Sequence, residues 1–207
     1  NGNGRLTVLD SLGEVIADLD SSRGGFDELY IGKVNSPSVL NVNKETKNYY
    51  IDPVNGNDEN IGDAWARPLK TVQSAIDRTP KYNEGFITIY LHAENARNFY
   101  EDIKIRGFTG PGGITIDGQL RVNTLSGSVT ISGVSNIVTL RNFTVNSTTG
   151  KGIEVYRTPY AYCQYVNVYG QGSGRGFYAE GGTNLYLNNC QTWDSGVGIY
   201  SVLLSKI

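Results

Sequence analysis

The segment Ile114-Thr-Ile-Asp117 recurs along the chain as Val138-Thr-Leu-Arg141, Ala161-Tyr-Cys-Gln164 and Leu185-Tyr-Leu-Asn188. The first residues of these segments are 24, 23 and 24 positions apart. Within each segment, apolar residues alternate with polar or aromatic ones, which is the pattern of a strand with one buried face. A period of about two dozen residues with several short strands per unit predicts a solenoid whose turns stack on one another.

Further sets of apolar residues repeat with nearly the same period. They are Val129, Ile153, Phe177 and Ile199, and then Phe143, Val166 and Cys190. Coils stacked about 4.8 Å apart would place each set in one interior column. We expect glycines at the corners between strands, namely Gly118, Gly133, Gly150, Gly152, Gly170, Gly176, Gly182 and Gly196. The sequence therefore predicts an all-β protein, a single-stranded parallel β-helix of about five coils, right-handed by analogy with parallel crossovers.

The composition agrees with this fold and indicates neither a nucleic-acid partner nor a membrane span. Gly accounts for 26 of 207 residues and charged residues for 18%, as expected of a chain with many corners and few helices. The net charge of −2 does not indicate a nucleic-acid partner, and no apolar run is long enough for a membrane span. Cys163 and Cys190 fall in inward columns, so we expect buried free thiols.

Three regions are expected along the chain. Residues 1–48 form a small N-terminal β segment, with a hairpin over residues 5–19, a loop at 21–25, an apolar segment around 29–34 and a linker over 35–48. Residues 49–86 hold a first strand, a loop and a helix over residues 68–79 that caps the solenoid. Residues 87–207 form the β-helix, which we expect to be truncated at its C-terminal end because the chain stops within a coil.

The region before the β-helix carries a resemblance to a known family. Its segments are Tyr50-Ile-Asp-Pro-Val-Asn-Gly-Asn-Asp58, Gly62, Arg67-Pro-Leu-Lys-Thr-Val-Gln-Ser-Ala-Ile-Asp77 and Ile87-Thr-Ile-Tyr-Leu91. This pattern resembles the start of the pectate-lyase-like β-helices in bacteriophage tail fibres and tailspikes. The resemblance implies a homotrimer on the virion, or otherwise an extracellular protein, in contact with other phage tail proteins and with host cell-surface polysaccharide.

Function is expected at outward positions, because the inward ones are occupied by packing. The candidate carbohydrate-binding or intersubunit residues are large aromatic side chains in the later coils: Tyr162, Tyr186, Tyr178, Tyr200, Tyr169 and Trp193. Their predecessors in the earlier coils are small, such as Thr115, Thr139 and Thr130. Exposed aromatic rings can stack on sugars or pack against another subunit, and the sequence leaves both interpretations open.

Catalysis is the alternative function. Glu154 and Glu180 lie on neighbouring coils, two residues apart along the strand, which corresponds to roughly 8 Å and fits an inverting glycosidase. Asp117 and Arg141 also stack in register, but a surface ion pair explains them more simply. There are therefore two alternatives to a tail-fibre fragment. The first is a polysaccharide depolymerase, either a glycoside hydrolase or a lyase, whose catalytic coils lie partly outside this sequence. The second is a secreted or wall-anchored bacterial adhesin.

We expect no cofactor and no metal ion. The oxygen-rich loop over residues 54–63 does not match the calcium-loop pattern, and its Asn and Asp residues are typical of Asx turns. His92 is the only histidine, so a histidine-based triad or metal site lacks its other members.

Overall fold

The computed structural model describes residues 5–9, 15–20, 42–94, 96–147, 149–170, 172, 174–202 and 206–207. The chain divides into two compact units, Asn1–Val39 and Leu40–Ile207. In the first unit, strands β1 (Arg5–Leu9) and β2 (Val15–Asp20) pair antiparallel, which confirms the predicted hairpin. The hairpin turn, the loop at 21–25, the apolar segment around 29–34 and the linker residues 35–41 lie outside the described residues.

The second unit is a parallel β-helix, as predicted. Three parallel sheets run along it, and each coil contributes one strand to each sheet. Sheet I consists of β4 (Lys47–Ile51), β6 (Phe86–Leu91), β9 (Gly113–Asp117), β12 (Ile137–Arg141), β15 (Ala161–Gln164) and β18 (Leu185–Asn188). Sheet II consists of β7 (Asn98–Phe99), β10 (Thr124–Ser126), β13 (Thr144–Asn146), β16 (Asn167–Tyr169) and β19 (Gln191–Trp193). Sheet III consists of β8 (Ile103–Arg106), β11 (Val129–Ser132), β14 (Lys151–Tyr156), β17 (Arg175–Glu180) and β20 (Val197–Val202).

The predicted interior columns are present. On sheet I, Ile116 pairs with Leu140 and Leu140 with Cys163, and all three side chains are buried. The column on sheet III is also in register, but its last member, Ile199, is 55% exposed. The sequence period therefore reports directly which residues lie above one another. Both cysteines are free, with Cys163 buried and Cys190 half-buried.

The strands before the first coil extend the solenoid toward the N-terminus. β4 pairs in parallel with β6, from Lys47 opposite Ile87 to Ile51 opposite Leu91. Two short strands, β3 (Val42–Asn43) and β5 (Tyr82–Asn83), pair beside it. The part of the predicted linker that the structure describes thus contains β3 and the first residues of β4.

The capping helix is shorter than predicted. Helix α1 spans Val72–Arg78 and buries Val72, Ala75 and Ile76, so Pro68 does not lie in its first turn. Leu69 instead forms a parallel bridge with Ile51. Thr71 is the N-cap, because its side chain accepts a hydrogen bond from the Ser74 N–H. No helix in the described ranges is long and apolar enough to cross a membrane.

Two carboxylates from outside α1 fix its N-terminal end. Asp58 accepts hydrogen bonds from the Lys70 and Thr71 N–H groups, both at 2.9 Å. Glu101, from the turn between β7 and β8, accepts the Val72 and Gln73 N–H groups, also at 2.9 Å. Burial raises the pKa of Glu101 despite these donors. The Glu101 bonds satisfy the first two helical N–H groups, which a helix leaves unpaired, and they attach α1 to the first coil.

Two of the glycines expected at corners lie within strands instead. Gly152 is in β14 and Gly176 is in β17. A Cβ at Gly152 would lie 2.4 Å from the Gly176 carbonyl oxygen and 2.4 Å from Val168 Cγ1. These glycines therefore allow close approach of backbone and core rather than a turn. Gly133, Gly150 and Gly182 do adopt positive φ, as corners require.

A buried asparagine joins the corners of three successive coils. Asn136 is 1% exposed, and its Nδ2 donates to the carbonyls of Asn83 at 3.1 Å, Gly110 at 3.0 Å and Gly112 at 2.9 Å. Its Oδ1 is buried without a hydrogen-bond partner in the described chain. The role of Asn136 could not be predicted from the sequence, because this residue lies outside the alternating pattern of the strands.

Candidate functional site

The outward aromatic side chains form stacked pairs on all three sheets. On sheet I, the Tyr162 and Tyr186 ring centroids lie 4.7 Å apart with an interplanar angle of 11°. On sheet II, Tyr169 and Trp193 lie 4.8 Å apart at 18°. On sheet III, Tyr178 and Tyr200 lie 5.7 Å apart at 11°. We call these pairs ladder I, ladder II and ladder III.

The stacking determines which part of each ring can meet a partner. Four of the rings are well exposed, since Tyr186, Tyr200, Tyr169 and Trp193 have 47%, 45%, 39% and 38% of their surface accessible. Within each ladder, however, the two rings cover one face of each other, so a partner can reach only the other face and the edges of each ring. A sugar can therefore stack on a ring only where one of its faces has no aromatic neighbour.

Ladder III differs from the expectation that its first ring is exposed. Tyr178 points outward but is only 6% exposed, and Glu154, one coil earlier in register, is 4% exposed. Tyr156 packs 5.5 Å from Tyr178, and the Arg175 guanidinium lies 4.4 Å from the Tyr178 ring centre. Neighbouring side chains thus cover Tyr178, the first ring of this ladder. The repeat of the sequence does not predict this burial, because it gives only the direction in which Tyr178 points.

The two candidate catalytic carboxylates lie on neighbouring strands of sheet III. Glu154 pairs with Tyr178, and Glu180 lies two residues further along β17, as the spacing predicts. Glu180 accepts a 2.6 Å hydrogen bond from the Tyr178 hydroxyl, and Glu154 lies 3.7 Å from Lys151 Nζ. Burial and the nearby Glu154 raise the pKa of Tyr156 to about 12. Tyr156, Arg157 and Glu180 line a recess of about 460 Å³ on this face.

Asp117 and Arg141 form the expected ion pair, but it is not a surface pair, because Asp117 is buried. Arg141 Nε and Nη2 lie 2.9 and 2.8 Å from Asp117 Oδ2. The other oxygen of Asp117 accepts hydrogen bonds from the Gln119 N–H and from Asn142 Nδ2. Four donors therefore converge on one carboxylate, and its role in this structure is to join neighbouring coils.

A large recess lies beside ladder II. It has a volume of about 770 Å³, and the side chains that line it include Thr124, Thr144, Asn146, Tyr169 and Asp194. Ser126, Asn146, Tyr169 and Trp193 follow one another in register on sheet II. The column therefore changes from small to large side chains between the third and the fourth coil, and the recess opens at this step.

A further aromatic cluster, near the first coil, was not identified from the sequence. Tyr50 stacks on Tyr90 at 5.6 Å, and Trp65 packs edge-on against Tyr50 and His92 at 4.8 and 5.0 Å. His92 Nε2 lies 4.0 Å from a carboxylate oxygen of Asp52. Within the described ranges, no group of three or more His, Cys, Asp or Glu side chains could hold a metal ion.

Comparison of the chain with protein-family models, with curated proteins and with solved structures finds no match.

Proposed function

We propose that this chain is the β-helical part of a phage tail-fibre or tailspike-type protein, a trimeric virion component that contacts polysaccharide on the host cell surface. The observation that carries the proposal is the aromatic exterior of the later coils, where Tyr186, Tyr200, Tyr169 and Trp193 remain exposed. Large exposed aromatic side chains are typical of binding surfaces. Tyr and Trp combine an apolar ring with a hydrogen-bonding group, which suits contact with sugars.

Because the three ladders lie on three different sheets, different ladders can make the glycan contacts and the subunit contacts. In a trimer, each chain meets its two neighbours through part of its exterior and leaves the rest to the solvent. We expect one or two ladders to pack between subunits and the remaining exposed aromatic surface to contact polysaccharide. Tyr and Trp are enriched in subunit interfaces as well, so the ladders must be tested one at a time.

The test uses the whole chain and three matched variants, each with one ladder residue replaced by serine: Tyr186→Ser, Trp193→Ser and Tyr200→Ser. Light scattering gives the mass in solution, and a glycan array of bacterial surface oligosaccharides gives binding. We expect a trimer and at least one variant that loses glycan binding but keeps the wild-type mass. A wild-type chain that binds no glycan would refute the proposal. Release of reducing ends or unsaturated uronates from a bound polysaccharide would instead indicate a depolymerase.

A further inference from the structure

We propose that the recess beside ladder II is a subsite for one sugar ring, which stacks on the free face of Tyr169 and continues the ladder by one rung. The inference rests on the proposed function and specifies where, and for which class of sugar, binding occurs. Tyr169 stacks on Trp193 on one side. On the other side, the residue in register is Asn146, and no aromatic ring of the described chain stacks there.

The recess has the dimensions and the chemistry for a pyranose. The position one coil before Tyr169 lies about 4.8 Å away, which is the spacing at which Trp193 stacks on the opposite face. Around this position, Thr124, Thr144 and Asn146 supply hydroxyl and amide groups that both donate and accept hydrogen bonds. A sugar ring at this step would thus meet an aromatic face on one side and hydrogen-bonding groups at its rim.

On sheet III, other side chains already fill the space beside the first aromatic residue of the column. There the column changes from Glu154 to Tyr178, but Tyr156 packs against Tyr178 and Arg175 lies over its ring. Sheet II has no such side chain among the residues described at its step, and the step opens on a recess of about 770 Å³. Sheet II thus differs from sheet III, because the face of Tyr169 toward Asn146 is not covered by an aromatic or cationic side chain of the described residues.

The charge of the recess selects the class of sugar. Among the described residues that line the recess, Asp194 is the only acidic or basic one. A carboxylate in the recess repels uronates and other acidic sugars, and it attracts or tolerates amino-bearing and neutral ones. We therefore assign the subsite to neutral or amino-bearing sugars.

The test places an aromatic side chain of the protein itself in the proposed subsite. In Asn146→Tyr, the new side chain extends ladder II and occupies the subsite, and we expect binding to the best glycan on the array to weaken about tenfold or more. The matched control is Thr139→Tyr, which extends ladder I one coil before Tyr162 in the same way. It lies on another sheet, so we expect its binding to stay within about twofold of wild type.

Each outcome decides something different. If the wild type binds glycans and both tyrosine variants bind equally well, the subsite is wrong and the proposed function stands. If the wild type binds no glycan, both fail. Should Asn146→Tyr not fold, Tyr169→Leu removes the aromatic face while keeping an apolar side chain, and the same loss of binding is expected.

A second variant tests the charge. Asp194 has a φ of 50°, a conformation that Asn also tolerates, so Asp194→Asn is expected to preserve the turn. We expect the wild type to prefer neutral or amino-bearing oligosaccharides to uronates on the same array, and the variant to reduce that preference. A wild-type preference for uronates would overturn the assignment of sugar class.

Discussion

Replacing Asn136 tests how strongly the corner of the β-helix depends on a single side chain. In Asn136→Ala, the carbonyls of Gly110 and Gly112 lose the only donor that reaches them from the described residues, whereas the Asn83 carbonyl keeps the Gly112 N–H at 2.9 Å. Leaving the buried Gly112 carbonyl unsatisfied costs about 1–3 kcal/mol, and the half-buried Gly110 carbonyl costs less because water can reach it. The lost amide also leaves a small cavity, which adds to the destabilisation.

One effect acts in the opposite direction. Asn136 Oδ1 is itself buried without a partner, so removing it relieves an existing penalty of about 1 kcal/mol. The net expectation for Asn136→Ala is a decrease of about 3 kcal/mol in the free energy of unfolding. Asn136→Asp should be worse at neutral pH, because it places a carboxylate against three carbonyls. It should recover part of the loss at acid pH, where the protonated carboxyl can donate once.

The assay is urea unfolding followed by circular dichroism, with Asn48→Ala as the matched control. Asn48 is an exposed residue of β4, so its replacement should change the free energy of unfolding by no more than about 0.5 kcal/mol. An Asn136→Ala protein within about 1 kcal/mol of wild type would show that the buried carbonyls find water or other donors, and the reasoning would be wrong.

Three further predictions concern the packing and the charges of the coils. Leu140→Ala should lower the free energy of unfolding by about 3 kcal/mol by leaving a cavity in an interior column, whereas outward Thr139→Ala should change it by less than about 0.5 kcal/mol in the same urea titration. Gly152→Ala should lose about 2 kcal/mol or more, because its Cβ meets the Gly176 carbonyl oxygen, and an unchanged urea midpoint would contradict the close approach. The pKa of Tyr156 is about 12 in the folded protein and about 10 in the unfolded chain, so its contribution to stability is present below pH ~10 and is lost as the pH rises toward 12. The difference in free energy of unfolding between wild type and Tyr156→Phe should therefore change between urea titrations at about pH 9 and about pH 11.5. A constant difference would refute the assignment.

The interior of the β-helix could be predicted from the sequence, because it depends only on the alternation of residues within a strand and on the period of the coil. Ile116, Leu140 and Cys163 alternate with polar neighbours and recur at the period of the coil, and the parallel register follows directly from that spacing. The outward register of Glu154 and Tyr178 was predictable for the same reason.

The features that depend on side chains from elsewhere in the chain were not predictable in this way. The burial of Glu154 and Tyr178 depends on the orientation of Tyr156 and Arg175, and periodicity says nothing about side-chain direction. The start of α1 depends on Asp58 and Glu101, whose carboxylates reach it from separate loops. Spacing likewise gives the register of two aromatic residues but not the plane of their rings, which decides whether faces or edges are available.

The attachment of α1 to Glu101 has a consequence for the order of folding on the ribosome. A helix of seven residues is far shorter than the ~12–15 residues needed for stability in isolation. The Val72 N–H is bonded to a carboxylate that is synthesised 29 residues later. The nascent chain therefore cannot secure this helix until the first coil has emerged from the exit tunnel, and we expect the two to become protease-resistant in a single step.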